Sequence, residues 1–218
     1  MKKIVLFDID YALFDVSYFD KNFYQELSPI IGIEKDVLRN KAIEIIVKLV
    51  KEEDYLDIDK FTETLLVAFN KKEYINKVEE LLFRSSFFKN GIYKEVHKVL
   101  LNLKGVVDIG VFSQGDPKLQ WAKIEQSGFG DLFKEELKYI IKPRKLDFVP
   151  SLVKYHMNDK VYLIDDKLKV IKEVKEKMPD AIGIWIKRGP FAENETLDFK
   201  PDATILNLSE IIPIILNS

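Results

Sequence analysis

Ile4-Val5-Leu6-Phe7-Asp8-Ile9-Asp10 sets a short apolar run directly before two carboxylates one residue apart. An apolar run containing Val and Ile, bounded by polar residues, predicts a buried strand. Residues i and i+2 of a strand share a face, so a strand ending at Asp8 leaves both acids at its carboxyl end. In open α/β sheets that edge is where ligands bind. Two acids so close repel each other unless a cation or a shared proton relieves them. The pair therefore points to a metal site or to divided acid and base roles. Read on its own, Asp-x-Asp serves equally well as a cap for the segment that follows.

Downstream, residues from about Val16 to Phe88 read as helical. Val37, Leu38, Ile45, Ile46, Leu49 and Val50 recur near helical spacing within Glu34–Glu53. Asp57 or Asp59 can cap a helix through Phe61, Leu65, Leu66 and Phe69. Val78, Leu81 and Leu82 mark another. From Lys94 the pattern changes to alternating strands and helices. A helix through Val96, Val99, Leu100 and Leu103 closes on Gly105. The strand Val106–Phe112 follows, then a helix with Pro117 at its first position, ending near Ser127-Gly128. Lys138–Ile141 reads as a short strand, Lys145–His156 as a helix, Val161–Ile164 as a strand and Lys167–Met178 as a helix. Ala181–Ile186 and Thr204–Leu206 read as strands, with a final helix over Leu208–Leu216. The expected architecture is α/β, a Rossmann-like, mostly parallel sheet with helices on both faces. The helical block becomes an insertion just after the Asp-x-Asp edge, placed to cover it as a cap.

The totals narrow the function. A chain of 218 residues, 47% hydrophobic and 32% charged, is expected to fold and is long enough for one large domain or a domain plus a smaller insertion. Net charge is −2, so nothing electrostatic favours nucleic acid as the main partner. The chain has no Cys and only 2 His, which excludes disulfides, thiolate metal sites and a Cys nucleophile. Met1-Lys2-Lys3 precedes an apolar stretch that stops at Asp8, too short for a secretion signal, and no apolar run approaches membrane-spanning length. No membrane partner is expected, and the cytoplasm is the expected compartment.

Four segments put polar residues at predicted strand ends: Asp8 and Asp10; Ser113-Gln114-Gly115, just before the helix that opens at Pro117; Lys142-Pro143; and Asp165-Asp166. A helix N-terminus offers free N–H groups to a phosphate, and Ser113 can donate its hydroxyl to the same anion. Lys142 would supply a fixed cation. Oxygen ligands without Cys or His suit Mg²⁺.

The order and spacing of these segments resemble the haloacid dehalogenase (HAD) superfamily, its phosphatase-like branch with a helical cap. Phe7-Asp8-Ile9-Asp10-Tyr11-Ala12-Leu13 is similar to that family's first motif, Val111-Phe112-Ser113 to its second, Lys142-Pro143 with Phe148 to its third, and Leu163-Ile164-Asp165-Asp166 to its acidic fourth. Ser113-Gln114-Gly115-Asp116 followed by Gln120, Lys123, Ser127 and Gly128 resembles one capped branch. The resemblance implies a catalytic core of residues 1–15 and 91–218 and a cap of residues 16–90. It implies that Asp8 attacks a phosphoryl group of a small phosphorylated molecule and that Asp10 protonates the leaving oxygen, then activates water. Ser113 and Lys142 would be catalytic and, with Gln114, would bind substrate. Asp8, the Asp10 main-chain carbonyl, Asp165 and Asp166 would hold Mg²⁺. Tyr11 stands where the family usually has Gly, and Ala12 where it has Thr or Ser.

Two competing readings remain: a metal-free 2-haloacid dehalogenase, against which Asp10 speaks, and a HAD-fold binding or regulatory protein with weak catalysis. Tyr11, Phe14, Tyr18, Phe19, Phe23 and Tyr24 make the expected site mouth aromatic. Helix packing accounts for them most simply, with a pocket for an apolar or ring-bearing substrate as the functional alternative. His97 and His156 receive no role, Trp121 and Trp185 are expected in or near the core, and Arg188-Gly189-Pro190 reads as a turn.

Overall fold

A computed structural model describes residues 2–217. Strand β1 (Lys3–Phe7) is followed by helices α1 (Val16–Ile31), α2 (Lys35–Glu53), α3 (Ile58–Ala68), α4 (Ile75–Leu82) and α5 (Ser85–Asn90). Then come α6 (Val96–Leu103), β2 (Asp108–Gln114), α7 (Pro117–Gln126), β3 (Lys138–Ile141), α8 (Val149–His156) and β4 (Lys160–Asp165). The chain ends with α9 (Leu168–Lys177), β5 (Ile182–Ile186), α10 (Gly189–Glu193), β6 (Ala203–Ile205) and α11 (Ile211–Leu216).

The six strands form one parallel sheet in the order β3-β2-β1-β4-β5-β6. The chain winds outward from β1 to β3, then crosses back to lay β4 against the free side of β1. That reversal opens a crevice at the carboxyl ends of β1 and β4. Phe7 is paired with Ile164, and the Asp8 amide continues the ladder by donating to the Ile164 carbonyl at 2.8 Å. Asp8 and Asp165 thus leave the sheet side by side.

Both faces of the sheet are covered, which is why its strands read as near-continuous apolar runs. Side chains of alternate residues go to opposite faces. Val5, Phe7, Ile109, Val111, Tyr162 and Ile164 belong to one buried cluster, joined by Val96, Leu100 and Leu103 of α6 and Ile211 and Ile215 of α11. Ile4, Leu6, Phe112, Val161 and Leu163 belong to another, with Val149 and Leu152 of α8 and Leu168, Ile171 and Val174 of α9.

Helices α1–α5 bury a third cluster of their own, including Phe23, Leu27, Leu38, Ile45, Phe61, Leu65, Val78, Leu81 and Phe87. Their ends are chemically marked. Glu34 accepts from the Asp36 and Val37 amides, and Asp57 from the Lys60 amide, each satisfying free N–H groups of a first turn. Gly32 closes α1 in the left-handed region at φ 69°. No helix among the described residues is long and apolar enough to cross a membrane.

Among the differences between the structure and the sequence expectation, three lie near the sheet's edges. Strand β2 starts two residues later, because Val106 stays 54% exposed in the turn after α6. Residues 145–148 form a tight 3₁₀ turn before α8. The expected turn at Arg188-Gly189-Pro190 opens the short helix α10, with Pro190 in its first turn.

Candidate active site

The carboxyl ends of β1, β2 and β4 converge with the 3₁₀ turn at residues 145–148. Asp8 is 5% exposed, Asp165 0% and Asp166 1%, and each offers a carboxylate oxygen within 4.8 Å of the others. One cation is embedded among them: Lys145 Nζ donates to Asp8 Oδ1 at 2.8 Å and to Asp165 Oδ2 at 2.5 Å. The Lys145 stem crosses the Phe112 ring, with Nζ 4.9 Å from its centroid. Its backbone amide donates to Gln114 Oε1 at 3.1 Å, which fixes the turn beside β2.

Burial alone would lower the Lys145 pKa, but Asp165 and Asp8 outweigh it and hold the ammonium above the ordinary lysine range. Burial raises the Asp165 carboxyl, with Asp8 adding to the effect and Lys145 opposing it. Asp166 is the extreme case. Burial first, then the charges of Asp8 and Asp165, push it up to about 8. Neither of its carboxylate oxygens has a hydrogen-bond partner. The backbone of Asp166 is nonetheless fixed, because its carbonyl accepts from the Trp185 indole N–H at 2.8 Å.

Asp10 lies apart from this group. Lys123 Nζ donates to its Oδ1 at 2.5 Å and Gln120 Nε2 to its Oδ2 at 3.2 Å, both from α7. The same Gln120 amide reaches Ser113 Oγ at 3.3 Å and the Gln114 carbonyl at 3.1 Å. Ser113, 1% exposed at the end of β2, therefore faces the site along with Asp10. Gln114 Nε2 donates to the Asp54 carbonyl at 2.7 Å, and Asp116 caps α7 while also accepting from the Ile58 amide at 3.3 Å. These contacts tie the helical insertion to the loop after β2.

One expected residue lies elsewhere. Lys142 is exposed, with Nζ 5.5 Å from the Tyr55 ring centroid, and it takes no part in the carboxylate cluster. Lys145 occupies that position instead. The chain leaves β3 at Ile141, turns through Pro143, and returns to the sheet edge only three residues after Lys142. Gln114 anchors it there.

No protein-family model matches the sequence, and no curated protein does. Solved structures do. A haloacid dehalogenase-like hydrolase from Burkholderia xenovorans LB400 superposes with a TM-score of 0.82 at 18% identity, covering 99% of this chain and 98% of that one. The HAD-hydrolase YfnB of Bacillus subtilis, in a form bound to magnesium, gives 0.68 at 18% identity over 98% of each chain. L-2-haloacid dehalogenase from Xanthobacter autotrophicus, with chloropropionic acid covalently bound, gives 0.62 at 14% identity over 100% of this chain and 99% of that one. The chain has the haloacid dehalogenase-like fold.

Tyr11, at the position where the HAD pattern usually has Gly, adopts φ 60°, the left-handed region that glycine enters freely and tyrosine does not. The neighbouring backbone accommodates its ring: a Cβ at Gly189 would come within 2.5 Å of the Tyr11 side chain. Ala12 is fully buried, and its carbonyl accepts from Arg188 Nη1 at 3.3 Å. Both departures are thus packed into the loop between β5 and α10.

The donor set fits a hard divalent cation. Asp8, Asp165 and Asp166 offer only oxygen, and the two unpartnered Asp166 oxygens are buried groups that a cation would satisfy. The Asp10 carboxylate is engaged by Lys123 and Gln120 and lies outside this cluster. A pH effect follows. A carboxyl raised to about 8 contributes full stability only while protonated, below the ordinary aspartate range near pH ~4. The contribution declines as pH rises through about 8. Metal-free protein should therefore melt at lower temperature at pH 8.5 than at pH 6.5. Mg²⁺ should raise the melting temperature more at pH 8.5, where it displaces no proton from Asp166. Calorimetry at both pH values with and without chelator checks this, and Asp166→Asn should remove the difference. An equal Mg²⁺ shift at both pH values contradicts it.

Proposed function

We propose that this protein is a Mg²⁺-dependent hydrolase of small phosphomonoesters. The observation that carries the reading is the charge balance of the buried cluster. Three carboxylates share one lysine, and one carboxylate has no partner at all. Such an arrangement is completed by a proton on Asp166 or by a further cation, and above about pH 8 by the cation. Asp8, Asp165 and Asp166 would hold it, with the Asp10 main-chain carbonyl. When bound, the ion supplies positive charge against the phosphoryl oxygens.

The chain's own residues divide the remaining work. Asp8 attacks phosphorus, so its carboxylate forms the new P–O bond as the ester P–O bond breaks. Asp10 lies on the cap side with Lys123 and Gln120 fixing both its oxygens, where it delivers a proton to the leaving oxygen and later takes one from the attacking water. Ser113 and the amides opening α7 receive phosphoryl oxygens. Lys145 holds Asp8 and Asp165 in place. The chain shares its fold with a dehalogenase as well as with a magnesium-bound hydrolase. A halide, however, leaves without a proton and needs no cation cluster, so a metal-free dehalogenase leaves Asp10 and Asp166 without work.

The test is phosphate release from a panel of sugar phosphates, nucleotides, cofactor phosphates and p-nitrophenyl phosphate, with Mg²⁺ and with chelator. Release that requires Mg²⁺ is expected. Chloride release from a 2-haloacid in chelator, or no release from any ester by folded protein, would sink the reading.

A further inference from the structure

Between the helical insertion and the sheet edge lies a cavity of about 290 Å³, with Asp10, Gln120 and Lys123 at its inner end. Ligand clefts commonly measure roughly 300–1,000 Å³, so this one suits a body of about one ring. The outer wall is aromatic: Phe14, Phe19, Phe23 and Tyr24 line it, and Leu56 and Phe61 close the far side. The rings brace one another. Phe19 stacks on Phe23 at 5.8 Å and 6°, and Phe23 meets Tyr24 edge-on at 5.1 Å. These aromatic residues do pack the helices, as their spacing suggests, and the same packing leaves one face of the cluster turned into the cavity.

The charges around this cavity are as informative as its walls. Its lining carries four carboxylates but only two cations, Lys123 and Lys167. Lys123 is engaged by Asp10 at 2.5 Å, and Lys167 Nζ sits 4.7 Å from the Phe191 ring centroid. Asp20 already holds Arg39 at 2.8 Å. With four carboxylates against two cations, the lining disfavours a second anionic group. A buried charge without a partner is strongly disfavoured. A polyhydroxylated body would find carboxylate acceptors in Asp20, Asp54 and Asp116, of which Asp20 and Asp116 are already engaged, and would set its other hydroxyls against aromatic rings.

We propose that the cavity selects an uncharged, apolar leaving group, so that the substrate is a small aryl, benzyl-type or branched-alkyl phosphomonoester and not a nucleotide or sugar phosphate. The assignment rests on the phosphatase reading for its chemistry and on the cavity for its selectivity. Attack by Asp8 breaks the ester P–O bond, the leaving oxygen takes the proton from Asp10, and a neutral alcohol remains among the rings.

The experiment has two arms. In the first, kcat/KM is measured with Mg²⁺ for benzyl phosphate, ribose 5-phosphate, AMP and acetyl phosphate. Benzyl phosphate should exceed ribose 5-phosphate by roughly tenfold or more, mainly through KM, because burying a ring is worth at least that factor. Leu56→Asp, at a half-buried loop position, should lower the benzyl-to-acetyl ratio by a similar factor. In the second arm, calorimetry compares benzylphosphonate with methylphosphonate, neither of which can turn over. Benzylphosphonate should bind roughly tenfold tighter. Hydrolysis of acetyl phosphate without preference for the benzyl ester overturns the selectivity and leaves the phosphatase reading standing. No hydrolysis of any ester, with benzylphosphonate still preferred, overturns the phosphatase reading and upholds the selectivity. Equal affinity for the two phosphonates overturns the selectivity whatever the turnover.

Discussion

Asp8→Asn should abolish phosphate release from every substrate that the wild-type protein hydrolyses, by roughly 10³-fold or more, the scale seen when a covalent nucleophile is removed. The amide keeps the size of the carboxylate and retains one oxygen that can accept from Lys145 Nζ, now 2.8 Å away. Lys145 also stays paired with Asp165 at 2.5 Å, so no buried cation is stranded. The thermal midpoint should consequently shift by only a few degrees, within about 1–2 kcal/mol, because the substitution removes charge and leaves a hydrogen bond in place. Measured together, turnover and thermal midpoint separate chemistry from folding. A variant that melts like wild type and keeps a tenth of its activity would show that Asp8 is not the attacking group.

The fold was readable because its elements carry their own punctuation. Asp57, Asp116-Pro117 and Gly105 mark the ends of helices in the sequence, and the structure uses each at that boundary. The buried strands were readable for a different reason: a sheet covered on both faces leaves little room for polar residues, so Ile4–Phe7 and Val161–Ile164 stand out. Site geometry was less legible. Asp8, Asp165 and Asp166 follow directly from strand ends, since the backbone alone carries them to the crevice between β1 and β4. Lysine placement does not follow in the same way. Lys142-Pro143-Arg144-Lys145 offers three cations in four positions, and a long flexible stem can bring any of them to a strand end. What decides is the contact between the Lys145 amide and Gln114 on the neighbouring strand, a long-range hydrogen bond with no local sequence signal. The same holds for Lys123 and Gln120. Their spacing fits one turn of α7, but only the placement of that helix against α5 and β3 turns them toward Asp10.

The substitution Lys145→Met separates the two lysines more sharply than any other, because it acts on stability and catalysis at once. Methionine fills the channel over Phe112 but leaves Asp8, Asp165 and Asp166 buried together with no cation. Removing one partner from a buried ion pair is destabilising by about 3–5 kcal/mol, and here a single cation serves two carboxylates. The metal-free variant should accordingly melt well below wild type at pH 7.5. It should recover toward wild type at pH 5, where protonation relieves the carboxylates that burial has raised, and also on addition of Mg²⁺. Turnover in saturating Mg²⁺ should fall roughly 10²-fold or more, since a preorganised cation beside the reacting group is lost. Lys142→Met, by contrast, removes an exposed ammonium resting on Tyr55. Its stability should stay within about 0.5 kcal/mol of wild type, as for most surface substitutions. The two variants differ only in which cation is lost within the same four-residue segment. Loss of activity in Lys142→Met with Lys145→Met unaffected would mean that the working lysine enters from the other side of Pro143, and that Lys145 serves the fold alone.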